Sequence, residues 1–277
     1  MIPYTPHPIL FSIGSFSIYT WGTVIALAAF FSLFMAMRKS FKHDIKPDTI
    51  LNSFLWIVLG ALIGGKIVYV LLNLDSIGIE MLQGGFASIG AILGGLIAGA
   101  IYTKKAKVDF WKIADFMAPY FALTLAIGRI GCFLRGCCFG LPTDLPWGVL
   151  YSQGSLASSV FNVPLHPTQL YESLVCFAIA FLLFKLETLG NHRISGAPKT
   201  REFSSERKIN QKGKKLIEGS IFLIFLLLYF VQRFFIDFMR YYPAGEHLGP
   251  FTLMQIASVI AVIAVAAVIK IKKKIKN

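Results

Sequence analysis

Seven apolar runs of roughly 20 residues, the length that carries a helix across a bilayer, take up most of this chain. They are Tyr19 to Ala36, Leu51 to Leu72, Phe86 to Tyr102, Ile113 to Phe133, Thr168 to Lys185, Leu216 to Phe238 and Phe251 to Ile271. Lipid offers no hydrogen bonds to a backbone, so runs of this kind satisfy their own as helices. Of the 277 residues, 56% are hydrophobic and 25 are Phe, which fits lipid-facing helices with rings at the interface. The predicted class is an all-α integral membrane protein with seven transmembrane helices, forming a single polytopic domain over residues 1–277.

The net charge of +13 invites a nucleic-acid partner, but the position of the charges argues against one. Four of the 27 Lys and Arg fall in 38–46, four in 104–112, nine in 185–215 and five in 270–276. A basic cluster thus follows the first, third, fifth and seventh runs, as the positive-inside rule asks of cytoplasmic segments. The N-terminus is therefore expected outside and the C-terminus in the cytoplasm, with the clusters against anionic headgroups. No basic residue precedes the apolar part of MIPYTPHPILFSIG, so a cleavable signal peptide is not expected. Residues 1–14, with three prolines, are expected to lie at the outer interface. NLDSIGIEML should turn on that same face. Residues 186–215 read as a basic cytoplasmic loop. Residues 134–166, rich in Gly and Pro, form an irregular outer segment that protein must shield from lipid. Gly60/Gly64, Gly90/Gly94 and Gly95/Gly99 are small-xxx-small pairs that let helix backbones approach closely.

Five basic residues lie outside the clusters: Lys66, Arg129, Arg135, Arg233 and Arg240. An arginine inside a membrane span is costly and faces a cavity or a partner. Gly128–Gly140, GRIGCFLRGCCFG, gathers two arginines, three cysteines and four glycines at the end of the fourth run. In QRFFIDFMR, Arg233 and Asp237 share a helix face, with Arg240 one turn on. The four arginines have only Asp237 as an obvious acid, so an anion such as a lipid phosphate is called for; guanidinium binds it bidentately. HPTQLYE opens the fifth run, with Thr168 expected to cap the helix. His166, Gln169, Tyr171 and Glu172 form either a polar network or ordinary interfacial anchors. The spacing C-x4-CC at Cys132, Cys137 and Cys138 lacks the C-x2-C pairs of a structural zinc site, and no histidine lies beside it. No metal or other cofactor is expected.

Seven segments in order then carry a resemblance: FSIG, the Trp21-Gly22 pair, GGKIVYVLL, QGG before a Gly-rich run, GRIG with its following Phe and glycines, HPTQLYE and RFFIDFMR. Together they resemble the prolipoprotein diacylglyceryl transferase family, over nearly the whole chain. The resemblance implies a seven-helix enzyme of the bacterial inner membrane. Such an enzyme moves diacylglyceryl from phosphatidylglycerol to the thiol of a lipoprotein signal-peptide cysteine and releases glycerol 1-phosphate. It further implies that Arg129, between Gly128 and Gly131, and Arg233 hold the phosphate, with His166, Gln169, Tyr171, Glu172, Asp237 and Arg240 matching their motifs.

Three departures stand out. Cys132, Arg135 and Cys137 replace two asparagines and a glutamate of the GRxGNFxNGE signature. The histidine of HGGL is Ile89, and a tyrosine of the first span is Trp21, with Tyr19 nearby. A thiol must ionise to attack. Tyr19, His166 and a thiolate at Cys137 beside Arg135 are the open candidates for taking its proton, and Lys66 joins the expected lipid-binding set. Cys137 or Cys138 is alternatively a nucleophile, a small packing residue or half of a disulfide. Two other functions remain open: transfer of the same lipid to another acceptor or through a cysteine-linked intermediate, and non-catalytic lipid binding or transport.

Overall fold

The computed structural model describes residues 1–14, 16–43, 45–72, 74, 85, 87–192, 218–243 and 247–276. These residues contain seven α-helices: α1 (Thr20–Ser40), α2 (Pro47–Leu72), α3 (Ser88–Lys105), α4 (Phe110–Arg135), α5 (Thr168–His192), α6 (Ser220–Ile236) and α7 (Leu253–Lys276). Each covers one of the apolar runs. Helices α1, α2, α4 and α7 are long and apolar enough to cross a membrane, and α6 is a shorter apolar helix. Helix α2 starts at Pro47, ahead of the expected Leu51, because the first helical position needs no N–H. Helix α5 runs on to His192, so residues 186–192 are helical where a loop was expected. The remainder of that loop, 193–215, and most of the expected turn at 73–82 lie outside the described residues.

The chain divides into two compact units, Phe31–Ala114 and the combination of Met1–Phe30 with Asp115–Asn277. In the former, α2 and α3 pack through their glycines. A Cβ on Gly94 would run into the Gly60 carbonyl oxygen, and one on Gly64 into the Gly90 carbonyl oxygen. Backbone lies directly against backbone, as the small-xxx-small spacing implies. The outward faces carry Leu55, Leu59, Leu62, Ile63, Leu93 and Ile97, all exposed.

The other unit holds strands the sequence did not announce. They are β1 (Ile2–Tyr4), β2 (Ile9–Ile13), β3 (Phe16–Tyr19), β4 (Val149–Tyr151), β5 (His247–Leu248) and β6 (Phe251–Thr252). All have five residues or fewer, and the five of β2 are exposed on both faces, so no buried-exposed alternation marks it. β2 and β3 form an antiparallel hairpin and β5 and β6 another, while β1 lies parallel to β4 with Ile2 opposite Val149. Segment 134–166 builds a small core of its own. Phe139, Val149, Tyr151 and Leu165 are buried, with Tyr4, Phe133, Phe161 and Tyr241 packed on them. Val149 and Leu165 exchange both backbone hydrogen bonds, at 3.0 and 2.9 Å. The irregular segment thus satisfies its backbone within protein, as it must near lipid.

Helix α6 packs between α5 and α7. Its first residue follows Gly219, which sits at φ 89° and offers no side chain. Asp115 of α4 supplies the cap instead, its carboxylate accepting from the Gly219 and Phe222 N–H groups at 2.6 and 2.8 Å. Helix α7 opens with a reciprocal cap: the Gln255 N–H donates to Thr252 Oγ1 at 3.0 Å, and the Thr252 N–H to Gln255 Oε1 at 2.9 Å.

Candidate active site: an arginine network on one buried carboxylate

Pro167 holds the chain extended before α5, and Glu172 follows in the second turn, 1% exposed. A carboxylate this deep must be paired. Three arginines from distant segments supply the pairing. Arg129 Nη2 of α4 lies 2.7 Å from Glu172 Oε1, Arg233 Nη1 of α6 lies 3.4 Å from it, and Arg240 Nη1 lies 3.5 Å from Oε2. Asp237 pairs with Arg233 at 3.2 Å across one helical turn. Its Oδ1 accepts from the Tyr242 hydroxyl at 2.9 Å and its Oδ2 from Thr252 Oγ1 at 3.1 Å. Arg233 Nη2 also donates to the Tyr242 oxygen. The expectation that Asp237 alone faces the arginines is thereby corrected. Glu172 is the hub, hidden from a sequence reading because its partners lie on other helices.

Among the described residues, three guanidiniums meet two carboxylates in this network. Two buried donors make no hydrogen bond among the described residues: Arg233 Nε, and Arg240 Nη1, which is only within ion-pair range of Glu172. Buried donors without acceptors are costly, so the network is incomplete without an anion.

The turn after α4 is fastened to the start of α5. Gln169 Nε2 donates to the Cys137 carbonyl at 2.7 Å and to the Tyr151 hydroxyl at 3.2 Å. Thr168 Oγ1 donates to the Cys138 carbonyl at 2.9 Å. Thr168 therefore holds the neighbouring turn rather than capping its own helix, the expected role. The sulfurs of Cys132, Cys137 and Cys138 lie within 4.8 Å of one another, and all four cysteines are unbridged. Hydrogen bonding with Cys132 and Cys138 holds the Cys137 thiol far above the ordinary cysteine value. Hydrogen bonding with Cys132 and Cys137 draws the Cys138 thiol far below it.

His166 precedes α5 with Nδ1 3.4 Å from the Tyr171 hydroxyl, which also accepts from Trp147 Nε1 at 2.7 Å. Burial pushes its imidazole below the usual histidine value. Arg135 ends α4 with an exposed side chain. Tyr19, at the β3–α1 junction, is 57% exposed. Lys66, on α2, has its ammonium 5.4 Å from the Tyr69 ring centre, and Ile89, on α3, is 42% exposed. Gly128 and Gly131 face α1, where a Cβ would press on Ile25 and Val24. They admit a close contact between α4 and α1. Tyr242, Thr252 and Trp147 escaped the sequence reading. The Arg240-Tyr241-Tyr242 run was the available signal for the first of them.

The prolipoprotein diacylglyceryl transferase model matches residues 8–271. The chain belongs to this family. A Clostridium tetani protein named phosphatidylglycerol–prolipoprotein diacylglyceryl transferase is 33% identical over 244 residues, 86% of this chain and 87% of its own. Proteins of the same name from Acaryochloris marina and Clostridioides difficile are 32% and 31% identical, over 93% and 97% of this chain. In this member of the prolipoprotein diacylglyceryl transferase family, GRIG, HPTQLYE and RFFIDFMR, far apart in sequence, meet at Glu172.

Proposed function

We propose that the protein transfers the diacylglyceryl group of phosphatidylglycerol to the thiol of a lipoprotein signal-peptide cysteine and releases glycerol 1-phosphate. The observation that carries this reading is the excess of guanidiniums over carboxylates in the Arg129–Arg233–Arg240 network, with Arg233 Nε and Arg240 Nη1 making no hydrogen bond among the described residues. A phosphodiester supplies the missing negative charge and acceptor oxygens. Attack by the thiolate forms a sulfur–carbon bond at the glyceryl carbon. The carbon–oxygen bond to phosphate breaks, and its electron pair leaves on the phosphate oxygen. Arg129 and Arg233 hold that phosphate as its charge grows. Arg240 and, from the end of α4, Arg135 complete the positive field. Gln169, Glu172 and Asp237 keep the arginines and the adjoining turn in place, Tyr171 holds His166 and Trp147, and Lys66, in the other unit, is a proposed lipid contact. Tyr19 and His166 are the proposed proton acceptors, whereas Cys137, whose free thiol is held far above its ordinary value, stays protonated and does not fill that role.

The setting that fits this reaction is one polytopic domain of the bacterial inner membrane, with its N-terminus and the arginine network on the outer side. The basic clusters then face the cytoplasm. Purified protein incubated with acyl-labelled phosphatidylglycerol and a peptide bearing a lipobox cysteine should move label to that cysteine. Absence of both labelled peptide and glycerol phosphate would sink the reading.

A further inference from the structure

The transfer just proposed leaves three thiols without a fixed role. Cys132, Cys137 and Cys138 converge through a built turn. Gly136 takes φ 77°, and the N–H groups of Gly136 and Cys137 both return to the Cys132 carbonyl at 3.1 Å. Cys138 itself has φ 63°, a conformation that side-chain-bearing residues seldom adopt. Thr168 and Gln169 hold the carbonyls of Cys138 and Cys137, one turn ahead of Glu172 on α5. The thiols and the arginine network are thus fastened to the same helix start.

Three sulfurs bound ~2.3 Å from a tetrahedral zinc ion stand ~3.8 Å apart. The observed spread of at most 4.8 Å needs only a small closure. The paired C-x2-C spacing absent here marks four-ligand structural sites. A catalytic zinc needs three protein ligands and keeps the fourth position for water or substrate. Cys132 is buried, while Cys137 and Cys138 are partly exposed, which leaves one side of the cluster open. The attacking thiol must lose its proton, and arginines already engage both nearby carboxylates, Glu172 and Asp237. A metal ion solves the same problem, since a thiol that coordinates it is deprotonated outright.

We propose that Cys132, Cys137 and Cys138 bind a zinc ion whose fourth position receives the acceptor thiol and presents it as a thiolate; this rests on the transferase reading above. The acceptor thiol gives its proton to water as it binds. Its sulfur lone pair then forms the bond to the glyceryl carbon, and the carbon–oxygen pair departs on phosphate toward the arginines. Zinc keeps its oxidation state. The thioether product is a weaker ligand and yields its place to water.

The test uses the full chain, reduced and metal-free, in lipid nanodiscs. Titration with cobalt(II) should give a thiolate-to-cobalt charge-transfer band that zinc(II) abolishes. A lipobox peptide with its cysteine should strengthen the band by about a third, from three sulfurs to four, and the serine peptide should leave it unchanged. Cys132→Ser, Cys137→Ser and Cys138→Ser should each weaken the band, whereas Cys176→Ser, at a buried cysteine outside the cluster, should keep it. No band in the intact chain, or a band indifferent to the cysteine peptide, overturns the proposal. A lipid adduct on one of the three thiols, found by mass spectrometry after incubation with phosphatidylglycerol, overturns it as well. Label transfer that persists in chelator-treated protein overturns the zinc site and leaves the transferase reading intact. A cobalt spectrum that responds to the cysteine peptide while no lipid is ever transferred supports the thiol-binding metal site and sinks the transferase reading.

Discussion

Arg129 of α4 and Glu172 of α5 meet at 2.7 Å, and the same carboxylate also holds Arg233 and Arg240. Removing one partner of a buried ion pair leaves the others uncompensated, at a cost of about 3–5 kcal/mol. Glu172→Gln should therefore lower the thermal transition in detergent by several degrees and abolish label transfer. A variant as stable as the parent would show that the arginines do not depend on this carboxylate.

Arg233→Lys keeps a positive charge but loses the planar fork and the Nε donor. If that donor meets a phosphate oxygen in the transition state, kcat/KM for lipid transfer should fall about 10²–10³-fold, the usual effect of losing one such contact. Steady-state assays over a range of phosphatidylglycerol content measure this directly. An unchanged kcat/KM would remove Arg233 from the reacting phosphate.

The cap that Asp115 provides to α6 has a testable strength. Asp115→Ala strips both the Gly219 and Phe222 N–H groups of their acceptor. It should cost about 1–2 kcal/mol of stability. Asp115→Asn keeps one oxygen and should cost less. Differential scanning fluorimetry of the purified variants gives the order.

Gly94→Leu places a side chain where the Gly60 backbone already lies. Forcing extra atoms into such a contact costs about 1–3 kcal/mol. The variant should lose thermal stability, while Gly154→Ala, at an open position, tests backbone strain alone because Gly154 sits at φ 82°.

Burial favours the neutral form of His166. A base whose folded-state pKa is lowered contributes stability above its unfolded value, about 6.5, and that contribution is lost as pH falls from there toward the folded value. Thermal stability should accordingly decline on acidification below about pH 6.5, and His166→Gln should flatten that part of the curve. Unfolding temperatures at a series of pH values decide the matter.

Much of this architecture could be read from the chain. The seven apolar runs became seven helices, and Gly60, Gly64, Gly90 and Gly94 became the α2–α3 contact, because hydropathy and small-residue spacing are local properties. Strands β1 and β4 could not be read, since each has three residues and its partner lies far along the chain. Asp115 was not singled out in the sequence, since nothing near it along the chain names the helix it caps. Arg135 and Cys137 looked like neighbours in chemistry as well as in sequence, yet the end of α4 sends the arginine outward and folds the cysteine back toward Cys132.

The sequence alone determined that this is a helical membrane protein, which residues carry charge into its apolar runs, and which family its motifs belong to. Each of these follows from composition and order along the chain. Tertiary structure decided that Glu172 gathers three arginines, that guanidiniums outnumber carboxylates in this network among the described residues, and that three thiols share one turn. Those facts depend on distances between segments separated by tens of residues, and only packing sets such distances.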